Sequence, residues 1–177
     1  FKEKGIITST LEDLYPNQFV SFTEKENPDI RIISRYHSED NTLRKPEFYQ
    51  DGMTIFGIKA RNSEQAMALD LLLDDSIRMV TLIGKAGTGK TLLAIAAGLH
   101  KVVEENRYSR LVISRPIYPL GKDLGYLPGS KSDKFNPWMQ PIYDNMEILI
   151  HNHGEIEENR NGKIFNKKRP LLEDYLD

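Results

Sequence analysis

Between Leu82 and Ala94 the chain reads LIGKAGTGKTLLA, and within it Gly84, Gly89, Lys90 and Thr91 fall at the spacing G-x-x-x-x-G-K-[ST]. No other feature constrains the fold as strongly, because that spacing works as a turn that leaves a strand and opens a helix. The glycines let backbone N–H groups close around an anion, and the helix N-terminus adds the positive end of its dipole. In such a loop the lysine brings a point charge to the β and γ phosphates of a nucleotide, and the threonine hydroxyl ligates the magnesium that bridges them. The candidate cradle is Gly84, Lys85, Ala86, Gly87, Thr88, Gly89, Lys90 and Thr91, with Lys90 and Thr91 as catalytic candidates and Thr91 as the Mg2+ ligand.

The flanking runs agree with a phosphate loop. RMVTLI, from Arg78 to Ile83, has the β-branched apolar character of a buried parallel strand. TLLAIAAGLHKVVEE reads as a helix, apolar on nearly every side through Leu99 and amphipathic through Val102 and Val103. RLVISRP at 110–116 repeats the buried strand and breaks at Pro116, which completes β-α-β and predicts an α/β fold with a parallel sheet. A glycine turn that merely joins a strand to a helix is the bland alternative, and the Lys-Thr pair argues against it. Arg115 falls at the carboxyl end of the second strand, the side on which ligands bind in open α/β sheets. There it either contacts a phosphate of nucleotide or nucleic acid, or pairs with a surface carboxylate.

With 177 residues, 39% hydrophobic and 28% charged, the chain has the composition of an ordinary globular sequence, enough for one domain or one domain and a small companion. No run approaches the ~18 apolar residues of a membrane span, and no signal peptide is visible. The absence of cysteine excludes disulfides and cysteine–metal sites and fits a reducing cytoplasm. A formal net charge of −2 carries no global basic signature, so contact with nucleic acid falls to a local patch. The chain opens on Phe1, which suggests a piece of a longer protein.

Residues 1–58 read as a small β-rich segment. QFVSF at 18–22, IRIISRY at 30–36 and MTIFGI at 53–58 look like strands, separated by turn-rich stretches such as TEKENPD and HSEDNTLRKPEFYQDG. His37 sits in one of these polar stretches and reads as solvent-exposed. From residue 59 the character changes. RNSEQAMALDLLLDD places Ala66, Leu69, Leu72 and Leu73 on one helical face, with Asn62 as N-cap. Gln65, three residues on, has two readings that the sequence leaves open. It is a capping-box partner for Asn62, or its amide reads the N6/N7 edge of an adenine.

The tract from 117 to 150 begins with an irregular excursion too long for a minimal connection. Lys122, Lys131 and Lys134 with Tyr118, Tyr126, Phe135 and Trp138 combine cations and stacking surfaces as single-stranded nucleic acid requires; a solvated loop pinned by buried aromatics uses the same letters. Asn136 and Pro137 predict a helix start, with Pro141 awkward in its first turn and Met139, Ile142, Tyr143, Met146, Leu149 and Ile150 as one apolar stripe. HNHGEIEENRNGKIFNKKR then reads as a polar connector with His151 and His153 exposed.

GKAGTGKTLLAIAAGL, the tract LVISRPIYPLGKDLGYLPGSKSDKFNPWMQPIYD and the upstream GIKARNSEQAMALDLLLDD resemble the ATPase domain of the PhoH family, particularly the form fused behind a PIN nuclease domain. The likeness spans about 57–146, and SRP, LGYLPG and NPW are its most specific pieces. It implies a RecA-like P-loop core over 59–177, ATP with Mg2+ as cofactor, and RNA as the substrate that is unwound or remodelled. The family's glutamine falls on Gln65 and its strand-end arginine on Arg115, with Arg115, Lys122, Tyr126, Lys131 and Lys134 as nucleic-acid candidates. A homo-oligomeric ring is plausible for such a core. Two departures stand beside the match. An apolar strand ending in Asp-Glu, which would hold magnesium and orient the attacking water, is missing, since Glu173, Asp174 and Asp177 follow no strand-like run. Residues 1–58 also carry no acidic cluster of a PIN nuclease. The expected function is an RNA helicase or remodelling ATPase; a nucleotide-dependent switch or scaffold is the alternative.

Overall fold

The computed structural model describes residues 6–9, 11, 13–27, 31–46, 53–116 and 131–161, and within the last stretch the side chains from 139 to 154. It divides into two compact units, Phe1–Thr54 with Lys59–Leu82, and Ile55–Ile58 with Ile83–Asp177.

The first unit is built on a four-stranded antiparallel sheet in the order β1-β4-β3-β2. Strand β2 (Phe19–Thr23) and strand β3 (Arg31–His37) are rich in β-branched and aromatic residues, and they pair from Phe19↔Arg35 to Thr23↔Arg31. A turn with Asn41 in the left-handed region (φ 54°) returns β3 to β4 (Thr42–Arg44), and β1 (Ile6–Thr8) closes the edge against β4. Ile33 and Leu43 are buried in this unit. Helix α1 (Ser63–Leu73) starts where expected: the Asn62 side chain accepts a hydrogen bond from Gln65 N at 2.9 Å. Ala66 and Leu69 are buried and Leu72 and Leu73 half-buried, so the predicted stripe faces inward.

Arg35 ties α1 to the sheet. Its guanidinium donates to Asp70 Oδ2 on α1 at 3.1 Å, to Oδ2 of the α1 C-cap Asp74 at 2.5 Å, and to Asn17 Oδ1. With Arg35 5% and Asp70 8% exposed, each charged group of this cluster is hydrogen-bonded, the one guanidinium being shared between two carboxylates and Asn17.

In the second unit, Ile55 and Ile58 exchange both backbone hydrogen bonds, at 2.8 and 2.9 Å, around Phe56 (φ 42°) and Gly57 (φ 79°). Positive φ at both central residues is the mark of a tight two-residue hairpin turn. Helix α2 (Lys90–Leu99) continues into a π-helical turn (His100–Glu104) and packs on helix α3 (Lys131–Asn161). Leu93, Ile95, Ala96, Ala97 and Leu99 of α2 and Ile142, Met146, Leu149 and Ile150 of α3 form the core. Gly98 lets residue 111 approach: a Cβ there would lie 2.7 Å from Leu111 Cδ1.

Several expectations are corrected. MTIFGI is a tight turn rather than a strand, because Phe56 and Gly57 take left-handed φ. The runs 78–83 and 110–116 form no ladder, so the described residues contain no parallel sheet. Both keep a strand-like alternation, with Val80, Leu82, Leu111 and Ile113 half-buried and Met79, Ile83 and Val112 exposed. A ladder belongs to a pair of segments, whereas an apolar run encodes only an extended backbone and a buried face. Helix α3 begins at Lys131, ahead of the Asn136–Pro137 signal, and takes in the first part of the expected polar connector, as far as Asn161. His37 is half-buried, and the His153 side chain is only 13% exposed.

Candidate nucleotide site

The loop from Gly84 to Gly89 delivers the chain into α2, whose first residue is Lys90. Gly87 (φ 77°) and the N-cap Gly89 (φ 86°) both occupy the left-handed region, where glycine alone carries no Cβ penalty. Lys85 O is the hub of the loop. It accepts from Thr88 Oγ1 at 2.9 Å and from Lys90 Nζ at 2.6 Å, and Nζ also donates to Thr88 Oγ1 at 3.3 Å. The Lys90 ammonium is thus folded back across the loop. Residues 83–88 are exposed, Gly89 and Lys90 half-buried, and Thr91 exposed in the first turn of α2.

The N-terminus of α2 has no side-chain cap and no acidic residue in its first turn. Its unpaired N–H groups and positive dipole end face an exposed glycine loop, with an ammonium already held nearby. This is the donor set an anionic polyphosphate requires, and Thr91 adds a hydroxyl suited to a hard cation. Among the described residues no group of three or more His, Cys, Asp or Glu side chains is placed to hold a metal.

Gln65 belongs to the first unit, where its Oε1 accepts from Arg61 N at 2.9 Å while its own N–H donates to Asn62. This is a capping arrangement, displaced one residue from the expected box. Arg115 is exposed near the end of the run 110–116. Lys122 and Tyr126 lie outside the described residues; Lys131 and Lys134 lie in α3, ahead of its described side chains.

A cluster beyond the end of α2 escaped the sequence reading. The Glu104 carboxylate is bonded to His100 Nδ1 and to His153 Nε2, the latter at 2.7 Å, and His153 stacks on Phe56 with ring centroids 4.3 Å apart and planes 16° apart. The only signal for it was His100 and Glu104 at helical i, i+4 spacing, which is common on solvated helix faces.

The profile of the family described as PhoH-like protein matches residues 57–166, a stretch that contains the whole phosphate loop. The chain belongs to the PhoH family. It is 48% identical over 137 residues to protein PhoH2 of Bacillus subtilis, covering 77% of this chain and 30% of that protein. Protein PhoH2 of Mycolicibacterium smegmatis is 47% identical over 110 residues, 62% of this chain and 25% of that protein. A PhoH-like protein of Bacillus subtilis is 36% identical over 74 residues, 41% of this chain and 23% of that protein. The chain therefore spans less than a third of the length of these curated relatives. No solved structure matches it. PhoH membership gives the α/β chain a P-loop nucleotide-binding fold, in keeping with the glycine loop that opens α2. No helix among the described residues is long and apolar enough to cross a membrane.

Proposed function

We propose that this PhoH-family chain binds ATP with Mg2+ at residues 84–91, and that the protein carrying it couples ATP hydrolysis to unwinding or remodelling of RNA. The observation that supports the reading is the uncapped α2 N-terminus behind a loop of left-handed glycines, with Lys90 Nζ held over the loop by Lys85 O. On this reading the loop N–H groups and Lys90 bind and orient the phosphates, and Lys90 exchanges the Lys85 carbonyl for phosphate oxygen. Thr91 would hold the magnesium through its hydroxyl. The bound Mg2+–ATP supplies the phosphoanhydride bond and the Lewis acidity that draws charge off it.

Residues 59–177 then carry the first part of a RecA-like ATPase core and 1–58 an accessory β-rich segment, in a cytoplasmic protein linked to a PIN nuclease domain. RNA is the proposed partner, a homo-oligomeric ring the proposed assembly, and Gln65 the proposed adenine reader. Reading a base requires the Gln65 amide to leave its hydrogen bond to Arg61 N. Arg115 with Lys122, Tyr126, Lys131 and Lys134 is the proposed path of the nucleic acid.

The test is ATP turnover by the protein that carries these residues, with and without single-stranded RNA. Turnover that rises with RNA and vanishes in Lys90→Ala supports a nucleic-acid motor. Turnover indifferent to RNA overturns the coupling and leaves a nucleotide-dependent switch or scaffold.

A further inference from the structure

Arg35, His37 and Arg44 share one face of the sheet in the first unit. Arg35 pairs with Arg44 and His37 with Thr42 across β3 and β4, and alternate residues of a strand point the same way. Like charges directly opposite one another weaken a sheet, so two arginines in register need compensation. Arg35 has it from Asn17, Asp70 and Asp74 in a buried setting. Arg44 is paired with Asp40 in an ion pair 41% and 45% exposed, the kind that water and salt screen. The side chains of His37 and Lys45 have no hydrogen-bond or ion-pair partner among the described residues.

A cavity of about 310 Å3 opens here, lined by Arg35, His37, Arg44 and Lys45 together with Asp70 and Asp74. Both carboxylates are turned to Arg35, and Asp74 also accepts from the Ser76 N–H and hydroxyl. The field at His37 shows which sign prevails. Burial lowers the proton affinity of the imidazole, and the positive charges of Arg35 and Arg44 lower it further, ahead of the opposing pull of Asp40 and Asp70. The two arginines thus act on the ring more strongly than Asp40 and Asp70 do, and among the described residues no carboxylate is hydrogen-bonded to it.

We propose that this cavity binds a phosphate group through Arg44, Lys45 and His37, separately from the phosphate loop. A carboxylate needs one cation; a guanidinium fork, an ammonium and an imidazole that gains a proton on binding suit the greater charge and extra oxygen atoms of phosphate. Arg44 is released by exchanging its screened Asp40 partner. The phosphate comes either as a free anion or as part of an RNA backbone. Bound anion raises the proton affinity of His37, so binding tightens as pH falls through the His37 titration.

The experiment follows the His37 imidazole by NMR in the Lys90→Ala chain, which silences the phosphate loop, with His100, His151 and His153 as internal references. Inorganic phosphate and a short oligouridylate are titrated at matched phosphate concentration. The expected result is a saturable His37 shift, a titration midpoint raised by the ligand, and affinity weakened about tenfold by Lys45→Ala or Arg44→Gln. Lys45 is exposed, so its truncation leaves packing untouched. A shift with inorganic phosphate identifies a free-anion site, and a shift with the oligonucleotide alone identifies an RNA backbone site. No saturable His37 shift with either, or a shift unaltered in the Arg44→Gln, Lys45→Ala double variant, overturns the proposal.

Discussion

Arg35 is the residue on which the first unit turns, since one guanidinium joins β3 to Asp70 of α1, to its C-cap Asp74 and to Asn17. Its partner Asp74 records the strength of that arrangement. Burial alone pushes the Asp74 carboxyl up, but hydrogen bonds from Ser76 and Arg35 and the Arg35 charge outweigh it and hold the group at about 2, below its ordinary 3.8. A depressed carboxylate contributes stability that is fully present above the unfolded value and lost as pH falls toward the folded one. Asp74 therefore contributes up to about 2 kcal/mol at neutral pH, a contribution that disappears between about pH 4 and pH 2. Asp74→Asn is expected to lower stability at neutral pH and to flatten the acid limb in denaturant titrations; an acid limb parallel to that of the parent chain would contradict the role. None of this was legible in the sequence. An arginine within IRIISRY and two aspartates four residues apart at the end of a helical pattern read equally well as surface charges, because burial of a charge depends on a partner 35 residues away.

Among the elements, α1 and α2 were legible because their signals are local: an Asn cap with an apolar stripe, and a glycine loop ending in Lys-Thr. β2 and β3 were legible from their β-branched and aromatic content. β1 and β4, three residues each, were not, since so short a strand exists through its pairing alone. The turn at 55–58 hid inside an apolar run, and it yields a sharp prediction. Gly57 has φ 79°, and a Cβ there would lie 2.5 Å from His153 N and 2.7 Å from Asn152 C, backbone atoms of α3 that cannot swing aside. Gly57→Ala is expected to destabilise by roughly 3 kcal/mol or more, the left-handed penalty and overpacking together. Gly87→Ala, at φ 77° with nothing within 4 Å of the added Cβ, carries the conformational cost alone, about 1–2 kcal/mol. Chemical denaturation of the two variants separates these outcomes, and equal losses would refute the close approach of residue 57 to α3.

For the whole molecule, the order of motifs carried more information than the order of elements. The glycine loop that opens α2 was legible from four residues at a fixed spacing, and the structure sets it at the mouth of that helix with Lys90 folded across it. The parallel sheet expected around that loop did not follow from the same letters: runs 78–83 and 110–116 join no ladder among the described residues. The charge cluster at His37 was invisible for the complementary reason, being assembled from β3, β4 and α1, with no motif linking them. The central claim is that residues 84–91 take a nucleoside triphosphate. Its most direct test is equilibrium binding of Mg2+–ATP to this chain beside the Lys90→Ala variant, with thermal unfolding to verify the fold of each. Saturable binding that weakens at least about tenfold in the variant, with the fold retained, is the predicted result. Equal affinity in the two folded proteins would contradict it.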